Sequence, residues 1–307
     1  MERRALTAIT IGVPVFNGAD FLAESLDCLA NQTFIDFEVY IFDNASTDGT
    51  ADIARAWAAR DPRFHYHLQP RNVGGVNNFR DALLSAKSTW FLWRAHDDLS
   101  AINYLEELYA LASKSEKCQL AVSTVLTVDH ELSPSSVSLP PRRYDPLTVA
   151  GRLRALYDAG YTPCWFYGLW RREAAVRAFV PVVERYPYAF AGDHLTLYGP
   201  IIEGGVLTTT RTHFISRAAP PRPTSAPRER KPFSVMWEIR RAFVRELRRI
   251  RAERSLSFEM KLALIFTQPR YLRRSLPSMT KMARTGLRAL LGIAGPKSTS
   301  WHIEKRT

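Results

Sequence analysis

The sequence predicts an α/β fold, a mainly parallel sheet flanked by helices. Three observations carry that prediction. Short apolar runs rich in β-branched residues alternate with stretches whose apolar residues recur at helical spacing. Polar or Gly-containing segments separate them, as the turns of βαβ units require. The composition, 46% hydrophobic and 23% charged over 307 residues, is that of a chain that builds a core and excludes a disordered or collagen-like protein.

The first predicted strand, Ala8–Val15, alternates Ile9, Ile11, Val13 and Val15 and ends at the turn Asn17-Gly18-Ala19-Asp20. It lies in the longest segment free of Asp, Glu, Lys and Arg, Ala5–Ala19, and follows Glu2-Arg3-Arg4. Those 15 residues fall short of the roughly 20 of a membrane-spanning helix. Gly12, Pro14 and the period-two pattern favour a buried strand over a signal peptide. Phe21, Leu22, Leu26 and Leu29 predict a helix ending near Asn31. Phe37–Phe42 is the second strand, Asp43–Asp48 a polar loop, and Thr50–Arg60 a helix with Ile53, Ala54 and Trp57 on one face. Strand Arg63–Leu68, helix Asn77–Ala86, strand Thr89–Trp93, helix Tyr104–Leu111 and strand Gln119–Val128 follow. Ligands of such sheets bind beyond the carboxyl ends of the strands, which points to the loops Phe16–Asp20, Asp43–Thr47 and Ala95–Ser100.

Glu131–Pro146 is rich in Ser and Pro and reads as an irregular excursion. Leu147–Ala159 and Asp193–Ile202 read as helices and Val206–Ser216 as a strand. Five prolines between Ala218 and Pro232 mark a linker. The expected organisation is therefore a domain over 1–217 in two halves that divide at about 130, a linker over 218–232, and a helical region over 233–307. That last region is strongly basic. Residues 228–307 hold 20 Lys or Arg against 6 Asp or Glu, whereas the rest of the chain is near neutral and the whole is +12. Met236, Ile239, Phe243, Leu247 and Ile250 form an apolar stripe there, with Arg240, Arg241, Arg245, Arg248 and Arg249 around it. This pattern suits a solvated helical bundle or an anionic membrane surface. Nucleic acid is disfavoured, because no recognition motif accompanies the charge. Three separated cysteines, Cys28, Cys118 and Cys164, give neither a disulfide framework nor a metal clip, so a reducing cytoplasm is expected.

Two loops carry chemistry. His96-Asp97-Asp98 follows the apolar Trp90–Trp93. Adjacent carboxylates at a strand end gain from a cation, and hard oxygen ligands suit Mg²⁺ or Mn²⁺. The bland alternative is a helix cap. Asp43-Asn-Ala-Ser-Thr-Asp48 also follows a buried strand, and Asp48 is placed to cap the helix at Thr50.

Taken together, Thr10–Asn17, Asp43–Gly49, Asn72-Val-Gly-Gly75 and His96-Asp-Asp98 resemble the successive signatures of family 2 glycosyltransferases, which have the GT-A fold. The resemblance spans roughly residues 7–217 and is densest up to Leu105, with His96-Asp97-Asp98 as a variant of the usual Asp-x-Asp motif. It implies that Pro14, Phe16 and Asn17 flank the nucleotide. It implies that Asp43 reads the base or ribose, that Asn72 and Asn78 lie near the phosphates or sugar, and that Asp97 contacts the donor. Asp98 would bind the divalent cation, Mg²⁺ or Mn²⁺, that bridges the diphosphate. Asp193, 95 residues further on and ahead of an apolar helix, would be the base that deprotonates the acceptor, and Arg217 a basic residue near the diphosphate. Asp193 as a mere N-cap is the alternative. Trp165, Phe166, Tyr167 and Trp170 either stack on acceptor sugars or pack the core.

The implied activity is inverting transfer of a sugar from a UDP-sugar to a glycan or lipid-linked acceptor, as in cell-surface polysaccharide synthesis. The implied place is the cytoplasm or the inner face of the membrane. Two rivals remain. A sugar nucleotidyltransferase would carry a basic Gly-rich loop after its first strand, and Phe16-Asn-Gly-Ala-Asp20 has no Lys or Arg. A non-catalytic glycan- or membrane-binding protein would have no need of Asp43, Asp97, Asp98 and Asp193, which are all present.

Overall fold

The computed structural model describes residues 6–129, 131–140, 153, 161–218 and 233–276. The chain opens with β1 (Ile9–Val15), α1 (Ala19–Ala30), β2 (Phe37–Asp43), α2 (Thr50–Arg60), β3 (Phe64–Leu68), α3 (Gly75–Ser85) and β4 (Trp90–Trp93). It continues with β5 (Leu99–Ser100), α4 (Tyr104–Ala112), β6 (Leu120–Val128), β7 (Pro134–Ser138), a 3₁₀ turn (Pro163–Tyr167), β8 (Leu169–Arg171), α5 (Arg172–Arg185), α6 (Gly192–Glu203) and β9 (Val206–Arg217). Two further helices close it, α7 (Phe233–Ala252) and α8 (Phe258–Ser275).

The nine strands form one sheet in the order β3-β2-β1-β4-β8-β6-β9-β5, with β7 on β6. The first four are mutually parallel. Every residue of β1 is buried, which suits its apolar sequence, and the one polar side chain, Thr10, donates to Ser88 Oγ at 2.8 Å. Parallel pairing puts the carboxyl ends of β1, β2 and β4 along one edge, with Val15 opposite Asp43 and Gly12 opposite Trp93. Gly12 is required there: a Cβ would lie 2.9 Å from the Phe91 ring and 3.0 Å from Ala82. In the second half β8 runs antiparallel to β4 and β6, β6 parallel to β9, and β5 antiparallel to β9.

Several expectations are corrected. The Ser- and Pro-rich stretch after Glu131 contains a strand, β7, whose first four residues are exposed. A 3₁₀ turn, β8 and α5 occupy 163–185, where no element was expected. Leu153 is helical, and the rest of the predicted helix 147–159 lies outside the described residues, as do 219–232 of the linker and 277–307.

The apolar stripe of α7 is not free for a membrane. Met236 is buried, and Ile239, Phe243, Leu247 and Ile250 share the core with the sheet domain, where Leu264 and Tyr271 of α8 join them. Arg254 pairs with Glu203 at 2.7 Å, and Arg251 donates to the Tyr198 hydroxyl at 2.6 Å, both on α6. Complementary apolar faces drive this packing, each fully buried Leu, Ile or Phe contributing about 1.5–3 kcal/mol.

Candidate active site

Three loops meet at the carboxyl edge of the sheet. The first follows β1: Pro14 is still in the strand, opposite Phe42, while Phe16 is 44% exposed and Asn17 takes a left-handed conformation (φ 50°). The second follows β2 and is laced to the first. Asn17 N–H donates to Ser46 Oγ at 2.9 Å, Thr47 N–H to Asn17 Oδ1 at 2.8 Å, and Gly18 N–H to Thr50 Oγ1 at 2.9 Å. Asp48 accepts from Ala19 N–H and from Thr50 N–H, so it caps α2 as expected. The third, Ala95–Asp98, leans on the first: a Cβ on Gly18 would stand 2.4 Å from the His96 ring, so only glycine permits that approach.

Asp43 is fully buried at the end of β2. Its Oδ1 accepts from Ser46 N–H at 2.9 Å and its Oδ2 from the Tyr66 hydroxyl at 3.0 Å. Sequence reasoning missed its neighbour Asn44, which is 1% exposed and organises the Asn72 loop. Asn44 Nδ2 donates to Asn72 Oδ1 at 2.8 Å, and Val73 N–H donates back to Asn44 Oδ1 at 2.8 Å. The clue in the sequence was an amide directly after a buried strand-end carboxylate. Asn72 is exposed beside the cleft, with Oδ1 also accepting from Gly74 N–H. Asn78 is buried, donates to the Phe42 carbonyl at 2.7 Å, next to Asp43, and accepts from Gln69. That position ties α3 to β2.

Asp97 is half-buried and Asp98 is buried. Asp98 Oδ1 accepts from Arg217 N–H at 2.9 Å rather than capping a helix. Burial, then the neighbouring Asp97 charge, pushes the Asp98 carboxyl up to about 7. Arg94 lies beneath, fully buried, donating to the Asp98 carbonyl and to Ser100 Oγ at 2.7 Å. The Arg217 side chain turns away toward α1, where it pairs with Glu24 at 2.7 Å and lies over the Phe21 ring.

Asp193 begins α6 after Ala191, itself left-handed at φ 62°. Its Oδ1 accepts only from the adjacent His194 N–H at 2.7 Å among the described bonds, so it does not cap in the usual way. Burial first, then the charges of Asp98, Cys164, Asp97 and Asp193, hold the Tyr167 hydroxyl well above its ordinary range. Trp165 and Trp170 belong to the core, whereas Phe166 and Tyr167 line a cavity that Asp193 borders. Behind Asp193, His194 Nδ1 is 2.6 Å from the Tyr161 hydroxyl, and the Tyr271 hydroxyl of α8 donates to the His194 carbonyl.

The sequence pattern described as glycosyl transferase family 2 matches residues 10–175, just over half of the chain. The chain belongs to glycosyltransferase family 2. Among its relatives, Rickettsia typhi glycosyltransferase RT0329, of uncharacterised activity, is 26% identical over 114 residues, 37% of this chain and 35% of that protein. Streptococcus pneumoniae glycosyltransferase GlyG is 29% identical over 102 residues, 33% of this chain and 34% of that protein. The match thus spans about a third of these curated relatives, and less of some others. S. aureus TarS in complex with UDP-GlcNAc superposes with a TM-score of 0.64 at 16% identity, over 92% of this chain and 79% of that one. A mannosyltransferase from Pyrobaculum calidifontis in complex with GDP-Man and Mn²⁺ gives 0.51 at 19% identity, over 95% and 82%. These likenesses establish the GT-A fold for this family 2 member.

Among the described residues no three His, Cys, Asp or Glu side chains converge as a ready-made metal nest. The Asp97–Asp98 pair nonetheless fits a hard divalent cation, since Mg²⁺ is typically held by one or two carboxylates with substrate phosphates completing its shell. A buried carboxyl beside a second carboxylate is also the arrangement a cation relieves.

Proposed function

We propose that this glycosyltransferase transfers a sugar, with inversion, from a nucleoside diphosphate donor, a UDP-sugar, to a glycan or lipid-linked hydroxyl. The observation that supports the reading is the meeting of the loops after β1, β2 and β4 at the carboxyl edge of the sheet, two of which carry Asp43 and the Asp97–Asp98 pair. The donor's base and ribose would lie over Asp43, between Phe16 and the Asn72 loop. Asp97 and Asp98 would hold a divalent cation against the diphosphate, and that ion would supply Lewis-acid relief of the leaving group's charge. Asp193 would accept the acceptor's proton on the opposite side of the anomeric carbon. A single base facing the leaving group gives one displacement and therefore inversion. Supporting the donor class, two GT-A neighbours are in complex with UDP-GlcNAc and with GDP-Man and Mn²⁺.

We place the enzyme on the inner face of an anionic membrane, held by the basic helical pair. With the α7 stripe buried, the available apolar face is that of α8: Phe258, Leu262, Ile265 and Phe266 are exposed, and Lys261, Arg273 and Arg274 beside them are exposed too. No helix among the described residues is long and apolar enough to cross a membrane.

Asp193→Asn tests the chemistry. It removes the proton acceptor while keeping shape, so nucleotide affinity stays at the wild-type value and the transfer rate falls about 10²–10⁴-fold. Transfer by the variant at the wild-type rate would remove Asp193 from the mechanism.

A further inference from the structure

Between α3, α5 and the start of α6 lies a cavity of about 350 Å³, the size of a small ligand pocket. Val76, Phe79, Phe166, Phe179 and Val182 form most of its wall. Among the described residues lining it, Asp193 is the one that is charged and Tyr167 the one with a hydroxyl. The aromatic floor is fixed from behind. Phe166 stacks on Trp93 at 4.4 Å between centroids and contacts Phe179 at 5.5 Å, and Phe179 meets Trp93 edge-on at 5.1 Å. The space is also open: a Cβ built on Gly75 or on Gly192, both on the wall, meets no atom within 4 Å.

We propose that this cavity is an apolar acceptor subsite. It takes an acceptor that carries a hydrocarbon or aryl group directly beside the hydroxyl presented to Asp193. The inference rests on the reading of Asp193 as the base and narrows the acceptor class. A sugar could stack on Phe166 or Tyr167, but its hydroxyls turned toward Val76, Phe79, Phe179 and Val182 find no side-chain partner there, and each one left unpaired costs about 1–3 kcal/mol. One carboxylate and one phenol satisfy two groups, the attacked hydroxyl and one neighbour. A chain or ring of carbon fills the remainder and gains from every methylene it hides.

The test is direct binding to the full-length protein, so it does not depend on catalysis. Methyl, n-octyl and phenyl β-D-glucopyranosides, the octyl compound below its micelle concentration, are titrated calorimetrically in the presence of UDP and Mn²⁺. The subsite predicts that the octyl or the phenyl compound binds at least roughly tenfold more tightly than the methyl one, the effect of about two buried methylenes. Preference for octyl assigns a chain-bearing acceptor, and preference for phenyl an aryl-bearing one. Two variants then fill the space from different walls: Gly75→Leu, where the added side chain enters open volume, and Ala189→Leu, on the exposed rim. Both are expected to melt at the wild-type temperature and to lose the preference. Equal affinity for all three glycosides, or a preference that survives in both folded variants, overturns the proposal. The identity of the base is scored separately, by Asp193→Asn.

Discussion

Asp193 and His194 are neighbours with opposite surroundings. The carboxylate borders a cavity, while the imidazole is buried against Tyr161, with Tyr271 bonded to its carbonyl. Burial holds His194 below its ordinary value of 6.5, against the opposing pull of Asp193. Its folded-state pKa therefore lies below the unfolded one, and the unfolded chain binds the proton more readily. The stability it contributes is fully present above about pH 6.5 and is lost as pH falls through the folded value. Asp98 acts in the other direction, because its raised pKa makes the folded state hold its proton up to about pH 7. The His194 contribution is isolated by difference. His194→Gln retains an acceptor for the Tyr161 hydroxyl and cannot titrate. Between about pH 7 and pH 5 the wild-type melting temperature is expected to fall more steeply than that of the variant. Parallel curves would show that the imidazole does not titrate with folding. At this scale the carboxylates were legible in the sequence, since strand-end acids announce themselves. Asn44 and Glu24 were not, because their roles depend on partners 28 and 193 residues away.

At the scale of elements, the second half of the chain departs from what its sequence suggests. The strands β1, β2, β4, β6 and β9 and the first four helices were legible, because β-branched runs bounded by turns have few alternatives. Strand β8 has three residues and exists through pairing with β4 and β6, which no local pattern encodes. Helix α5 carries the i, i+4 series Ala174, Ala178, Val182, but Pro181 interrupts it. The α7 stripe was legible as a stripe, yet its partner was not. That partner is α6 together with α8, so the helical pair holds the element that carries Asp193. Phe243, fully buried on α7, is the sharpest probe of this arrangement. Phe243→Ala is expected to cost about 3–5 kcal/mol in denaturant unfolding of the whole chain. A loss below about 1 kcal/mol would mean that α7 does not share the core.

At the scale of the molecule, charge and apolar surface divide along the chain. The sheet domain is near neutral, and the excess of positive charge lies beyond residue 228. A basic residue close to an anionic surface contributes about 1 kcal/mol, and that attraction weakens as salt shortens the screening length. The protein is expected to sediment with anionic vesicles, and less so with neutral ones or at high salt. Leu262→Ser together with Phe266→Ser, both on exposed positions, should weaken that attachment without altering the melting temperature. Full-length protein left in the supernatant with anionic vesicles at low salt would remove the membrane from the account.

On the proposed function, the carboxyl edge of the sheet binds a nucleoside diphosphate through a cation on Asp98. Calorimetric titration of UDP and GDP, with and without Mn²⁺, measures it most directly, with Asp98→Asn as the matched control. Asparagine keeps the oxygen that accepts from Arg217 N–H, so the loop retains its bond and loses its charge. UDP is expected to bind the wild type in the presence of Mn²⁺, chelation to weaken this binding at least about tenfold, and the folded variant to show no such dependence. Nucleotide binding equally tight with and without Mn²⁺, or an unchanged Mn²⁺ dependence in Asp98→Asn, would contradict it.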